Sequence, residues 1–132
     1  MDVIRNFVLG AGLALIGLVS VAAAPRALAP ASGGWWQGAD SPKSPPRLCL
    51  CLAEPVLLSQ WEHRAGRCSR TILSDQGNKS VITYSCADGG FGRSELSLLT
   101  PRTIRVATQG ISADGPFNYV LHARRVGNCP AR

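Results

Sequence analysis

Two cysteines eighteen positions apart, with a turn midway between them, constrain this chain more than any other feature. The stretch from Arg67 to Cys86 reads RCSRTILSDQGNKSVITYSC, in which two β-prone runs, SRTIL and SVITYS, flank Asp75-Gln76-Gly77-Asn78-Lys79. If Asp75 and Lys79 close the loop, the pairs running outward are Ser74 with Ser80, Ile72 with Ile82, Arg70 with Tyr84 and Cys68 with Cys86. The two-residue period of a strand then sets both isoleucines and both cysteines on one face. The register predicts a hairpin stapled by a Cys68–Cys86 bond.

A staple of this kind needs an oxidising compartment, and the start of the chain is consistent with one. Met1 to about Ala24 has Arg5 in a short n-region, an apolar run from Phe7 to Val21, and small residues after it, the order of a secretory signal. Ala22, Ala23, Ala29 and Ala31 are candidate cleavage residues, while Pro25 and Pro30 each follow an alanine that would otherwise serve. The other reading is an uncleaved anchor, because Phe7–Ala24 spans 18 residues and about 18 is the minimum for crossing a bilayer. Glycines interrupt the run and alanines follow it directly, which favours a cleaved leader. The expected division is residues 1–31 as signal and flank and 32–132 as a single domain, periplasmic or secreted, with membrane contact only through the leader if it is retained. About 100 residues suffice for one domain with a modest core.

Cys49, Cys51, Cys68, Cys86 and Cys129 all lie in the exported part. Disulfides are their default use there, and an odd count leaves at least one thiol free or shared between chains. Zinc is the rival use, with His63 and His122 as further ligands, but Cys-x-Cys with one distant cysteine is a poor match to zinc spacing. No metal and no cofactor is expected. The same part holds 12 basic against 7 acidic residues, and ten of the twelve are arginines. Arginine suits phosphate and carboxylate partners, so a lipid-like or anionic envelope component is a candidate partner, and simple solubility is the plainer account. Nucleic acid is not expected, since no basic patch is interleaved with aromatics.

The remaining segments read as short strands with tight connections. GGWWQG is a short first strand plugging one end of the core, with Trp35 and Trp36 on opposite faces, and SPKSPP is a linker. RLCLCL is a strand, and Glu54–Glu62 a helix of about two turns, with Pro55 in its first turn and Leu57 and Trp61 toward the sheet. Beyond the hairpin, Gly92–Leu99, Thr103–Thr108 and Phe117–Ala123 alternate as strands, separated by turns and a Gly110–Pro116 loop. The expected fold is mostly β or α+β, an antiparallel meander of five or six strands curled around one short helix.

GGWWQ, CLAEPVLL leading into WEHRAGRC, the hairpin ending at Cys86, GGFG, TPRTIRVATQGI and the closing ARRVGNC together resemble the DUF 3617 family of exported bacterial proteins, over roughly residues 33 to 129. Trp36, Cys51, Cys68, Cys86 and Cys129 match that family's positions, and Cys49 is extra. The resemblance implies an envelope location and a second bond, Cys51–Cys129. It supplies no activity, because the family has none established.

No catalytic signature accompanies the polar residues. His63 or His122 with Glu62 or Glu95 as acid and base, and Ser94 or Ser97 as nucleophile, lack any supporting context such as G-x-S-x-G. Two functions of different class follow. The first is non-enzymatic binding of an apolar or amphipathic anionic ligand, or of a protein partner, by a curled sheet with Trp35, Trp36, Trp61, Phe117 and Tyr119 as wall candidates and arginines at the rim. The alternative is a thiol-disulfide accessory role for Cys49 and Cys51, which leaves open whether Cys49 is free, intermolecular or bonded to Cys51.

Overall fold

The stapled hairpin forms, with β3 (Cys68–Gln76) antiparallel to β4 (Lys79–Cys86). In this computed structural model residues 24–130 are described, and residues 1–23 of the expected leader, Met1 to about Ala24, lie outside them. Cys68 stands opposite Cys86, Arg70 opposite Tyr84 and Ile72 opposite Ile82. The turn differs from expectation. Gln76 pairs with Lys79, so the loop is only Gly77-Asn78, and a bulge at Leu73 absorbs the one-residue difference. Glycine explains the tighter loop, since Gly77 takes φ 60° at the first loop position, as the twist of a two-residue hairpin requires.

From this hairpin the chain continues as a meander through β5 (Phe91–Thr100), β6 (Thr103–Ser112) and β7 (Gly115–Gly127). The other long edge of β7 receives β1 (Gly34–Ala39), which in turn pairs with β2 (Leu48–Leu52), giving one antiparallel sheet in the order β2-β1-β7-β6-β5-β4-β3. Among the described residues the strands number seven, because Gly34–Ala39 is a full ladder member hydrogen-bonded on both sides, not a plug. The last two strands are also longer than the alternation suggested. Gly110 continues β6 instead of opening a loop, paired with Gly92 and Phe117, and glycine is required by the close approach there, since a Cβ would lie 2.1 Å from the Phe91 carbonyl oxygen and 2.8 Å from the Phe117 ring.

One face of the sheet carries the core. Trp36, Leu52, Ile82, Leu96, Ile104, Val106, Leu121 and Ala123, drawn from six strands, form a single cluster with Leu58 and Trp61 of the segment Pro55–His63. Laid flat, seven strands would span about 29 Å at 4.8 Å per step, too wide for one short segment to bridge. The sheet therefore curls around it. That segment is 3-10 and not α-helical, broken at Gln60 (φ −110°, ψ 35°). Leu58 and Trp61, on either side of that break, are both buried in the core, and Leu57 is left at its margin.

The core also recruits residues upstream of Ser32. Arg26–Leu28 form a 3-10 turn whose Leu28, with Ala31, joins the same cluster. The Asp75 carboxylate accepts hydrogen bonds from the Arg26 and Ala27 amides at 2.7 and 2.9 Å. Two disulfides close the framework, Cys68–Cys86 within the hairpin and Cys51–Cys129 from β2 to the residue after Asn128, leaving Cys49 as a free thiol.

Candidate functional site

The face of the sheet opposite the core holds a cleft that joins the β1–β2 loop to the β5–β6 turn. In antiparallel pairing, residues opposite one another share a face, so Cys49, Gln37, Arg124 and Thr103 make one cross-strand row across β2, β1, β7 and β6. Ala39, His122 and Arg105 make the next. Over these rows a cleft of about 630 Å³ is lined by Gln37, Ala39, Thr103, His122 and Arg124 from the sheet, Pro42 and Pro46 from the β1–β2 loop, and Leu99 and Arg102 from the β5–β6 turn.

Both borders are fixed by local bonds. In the β1–β2 loop the Ser44 amide donates to Ser41 Oγ at 3.1 Å, the Arg47 amide to the Gly38 carbonyl at 2.9 Å, and Arg47 pairs with Asp40 at 3.2 Å. The segment read as a plain linker is thus a pinned turn whose prolines face the cleft. In the β5–β6 turn the Thr100 and Thr103 hydroxyls lie 2.7 Å apart, the Arg102 amide donates to Thr100 Oγ1 and the Arg125 amide to the Arg102 carbonyl. Arg102 is held by its backbone, and among the described residues its guanidinium has no hydrogen-bond or ion-pair partner.

The charge in this cleft is of one sign. Among the described residues Arg102, Arg124 and Arg125 supply its charge, with the His122 ring beside them, and no Asp or Glu lines it. Arg125 is engaged, donating to the Gly33 carbonyl at 2.9 Å and to Asn128 Oδ1 at 2.7 Å. Among the described residues the ion pairs are Arg47–Asp40 and Lys79–Glu95, so Arg102 and Arg124 have no carboxylate within salt-bridge distance. Beside them Leu99 is 57% exposed. Uncommitted guanidinium groups next to an exposed apolar patch can hold an anionic head and a hydrocarbon tail together.

The five aromatic wall candidates do not line one cavity. Trp36 is fully buried, its indole N–H donating to the Ser32 carbonyl at 3.2 Å, and Trp61 packs over Gly38, where a Cβ would lie 2.5 Å from the Trp61 ring. Trp35 points to the opposite face, opposite Cys51 and Gly127. Phe117 packs between His63 and Tyr119, at ring-centroid separations of 5.7 and 5.9 Å. Trp61 and Tyr119 do meet at the edge of a second cleft of about 430 Å³, but Asp40 and Glu62 line it beside Arg47 and Arg64, which makes it a poor anion site. A broad, shallow groove of about 770 Å³ near Cys68 carries Arg64, Arg67 and Arg70, of which Arg64 already donates to the Trp61 carbonyl and Arg70 to Gln60 Oε1.

The candidate catalytic residues are likewise apart. His63 is buried with Nδ1 2.9 Å from the Tyr84 hydroxyl, whereas His122 lies on the other face. Ser94 is buried, donating to the Ser59 carbonyl and sharing a hydrogen bond with Thr108, and Glu95 pairs with Lys79. No serine–histidine contact results. Burial, then the Glu62 charge, pushes the Tyr84 hydroxyl up to about 12, and burial together with its hydrogen bond to Glu62 at 2.8 Å raises Tyr119 as well. Among the described residues no group of three His, Cys, Asp or Glu side chains converges as a metal site would need, and no helix is long and apolar enough to cross a membrane. Cys51 is committed to Cys129, while Cys49 sits two residues away on the same strand face. No family model, curated protein or solved structure matches this chain.

Proposed function

We propose that this chain is an exported envelope protein that binds, without transforming it, an amphipathic anion in the cleft between the β1–β2 loop and the β5–β6 turn. The observation that carries this reading is the pairing of Arg102 and Arg124, both without a carboxylate partner among the described residues, with Pro42, Pro46 and Leu99 in a cleft that no described acidic residue lines. Its volume of about 630 Å³ suits a small ligand. Two disulfides in a small domain, and an order of tryptophan and cysteines resembling that of the DUF 3617 family, support an oxidising compartment. The head group is a carboxylate or a phosphate, since both accept paired donors from arginine.

Thermal melting in the presence of dodecanoate, lysophosphatidic acid, dodecanol, inorganic phosphate, glucose and a nucleotide tests this. A ligand at one hundred times its Kd stabilises by about 2.7 kcal/mol, a shift readily read. One or both anionic amphiphiles should raise Tm, which also identifies the head group, and dodecanol and phosphate should not. Equal shifts from dodecanol, or none from either anionic amphiphile, would overturn the reading.

A second reading has its own observation. Cys49 shares a row with Gln37 and Arg124 and a face with the Cys51–Cys129 bond, an arrangement suited to a thiol that exchanges with disulfides. Trapping with a disulfide-bearing peptide separates the two: attack by the Cys49 thiolate, forming a mixed disulfide at Cys49 and releasing the peptide's other half as a thiol, supports the accessory role, and inert Cys49 supports binding alone.

A further inference from the structure

Export leaves unsettled where the leader ends, and the fold restricts that choice. Pro25, Ala27, Leu28 and Ala31 are buried, with Leu28 only 4% exposed, and Leu28 and Ala31 lie in the same cluster as Trp36 and Ile82. The turn is internally bonded, the Leu28 amide to the Pro25 carbonyl at 3.1 Å and the Ala31 amide to the Leu28 carbonyl at 2.9 Å. It is tied across the chain as well, through the Asp75 carboxylate on the Arg26 and Ala27 amides. A cut after Ala29 or Ala31 would strip Leu28 from the core and leave Asp75 without its donors. A cut after Ala24 would put Pro25 directly behind the broken bond, where its ring and missing N–H obstruct a peptidase. Of the small residues that follow the apolar run, Ala22 and Ala23 remain.

We infer that the leader is removed at one of the two bonds flanking Ala23, and that Pro25–Ala31 is the first folded element of the mature protein, clamped by Asp75. The inference rests on the export reading above. The step is a hydrolysis by a membrane-bound leader peptidase. One water is consumed, the peptide C–N bond breaks, the carbonyl carbon leaves as a carboxylate, and the nitrogen becomes the new α-ammonium, with no change of redox state.

Expression of the full chain in a bacterial host and N-terminal sequencing of the envelope protein give the first test. A start at Ala23 or Ala24 is expected. A start at Pro30 or Ser32 overturns the inference while leaving export intact, and intact Met1 in the membrane fraction overturns both. The structural half is tested by exporting, behind a foreign leader, forms that begin at Ala24 or at Ser32. The shorter form should melt lower by about 10 °C or more, or fail to accumulate, and Leu28→Ala in the longer form should fall between them. Equal melting of all three would show that the segment is not part of the domain.

Discussion

Removing the Cys51–Cys129 bond should damage this protein more than removing the hairpin staple, although the staple lies in its most regular element. The two bonds close loops of 78 and 18 residues. Loop-closure entropy assigns about 4.5 kcal/mol to the longer and about 3.2 kcal/mol to the shorter. A domain of this size has about 5 to 15 kcal/mol of net stability, so the longer bond represents a large share of it. It also ties β2, an edge strand, to the chain beyond β7, and β3 keeps its ladder to β4 with or without a staple. The experiment uses a Cys49→Ser background, so that no free thiol is present to exchange with the surviving disulfide. In that background, Cys51→Ser/Cys129→Ser should lower Tm by on the order of 20 °C, and Cys68→Ser/Cys86→Ser by about two thirds as much. Cys49→Ser itself should be near neutral. Urea unfolding supplies the free energies, and an equal or reversed order would refute the loop-length argument.

Three further outcomes are expected. Gly38→Ala should cost about 1–3 kcal/mol in urea unfolding, because its Cβ would lie 2.5 Å from Trp61 and 2.7 Å from Leu121, and a neutral result would mean that Trp61 does not pack there. Both tyrosines of the chain, Tyr84 and Tyr119, have raised pKa values; their protonated state is favoured by folding, so this contribution is complete below about pH 10 and is lost as pH rises through the folded values. At about pH 11 the native protein should show almost no phenolate absorbance until it is unfolded, and phenolate in the native protein at that pH would contradict the burial. Asp75 is held below its ordinary pKa by the amides of Ala27 and Arg26; its stabilisation is present above the unfolded-state pKa near 4 and disappears as pH falls through the lower folded value. Asp75→Asn should therefore flatten the acid limb of the stability curve, and an unchanged limb would show the clamp to be unimportant.

The sheet was largely legible because strand alternation carries it: Leu96 and Leu98, Ile104 and Val106, and Tyr119 and Leu121 all face the core as their spacing required. The outer hairpin register was legible for the same reason, but its turn was not, since a bulge at Leu73 leaves no mark in an apolar pattern. Pro55–His63 misled because Leu57 and Trp61 fit an α-helical period, and nothing in that pattern marks the break at Gln60 that buries Leu58 and Trp61 instead. The N-terminal turn was hidden by composition, as PRALAPA reads like the tail of a leader until Asp75 is seen to hold it. The basic cleft was the least legible feature. Arg102 and Arg124 lie in different elements, and only the pairing of β6 with β7 brings them together over a loop that had looked like spacer.

The central claim is that Arg102 and Arg124 hold the head of an amphipathic anion. Calorimetric titration of dodecanoate and lysophosphatidic acid, each below its micelle threshold, into native protein and into Arg102→Ala/Arg124→Ala tests it most directly. One anionic amphiphile should bind the native protein at one site, and the double variant should bind it at least about tenfold more weakly, equivalent to about 1.4 kcal/mol, with unchanged melting in the absence of ligand. Equal affinity for both proteins, or no binding of either ligand to the native one, would contradict the account.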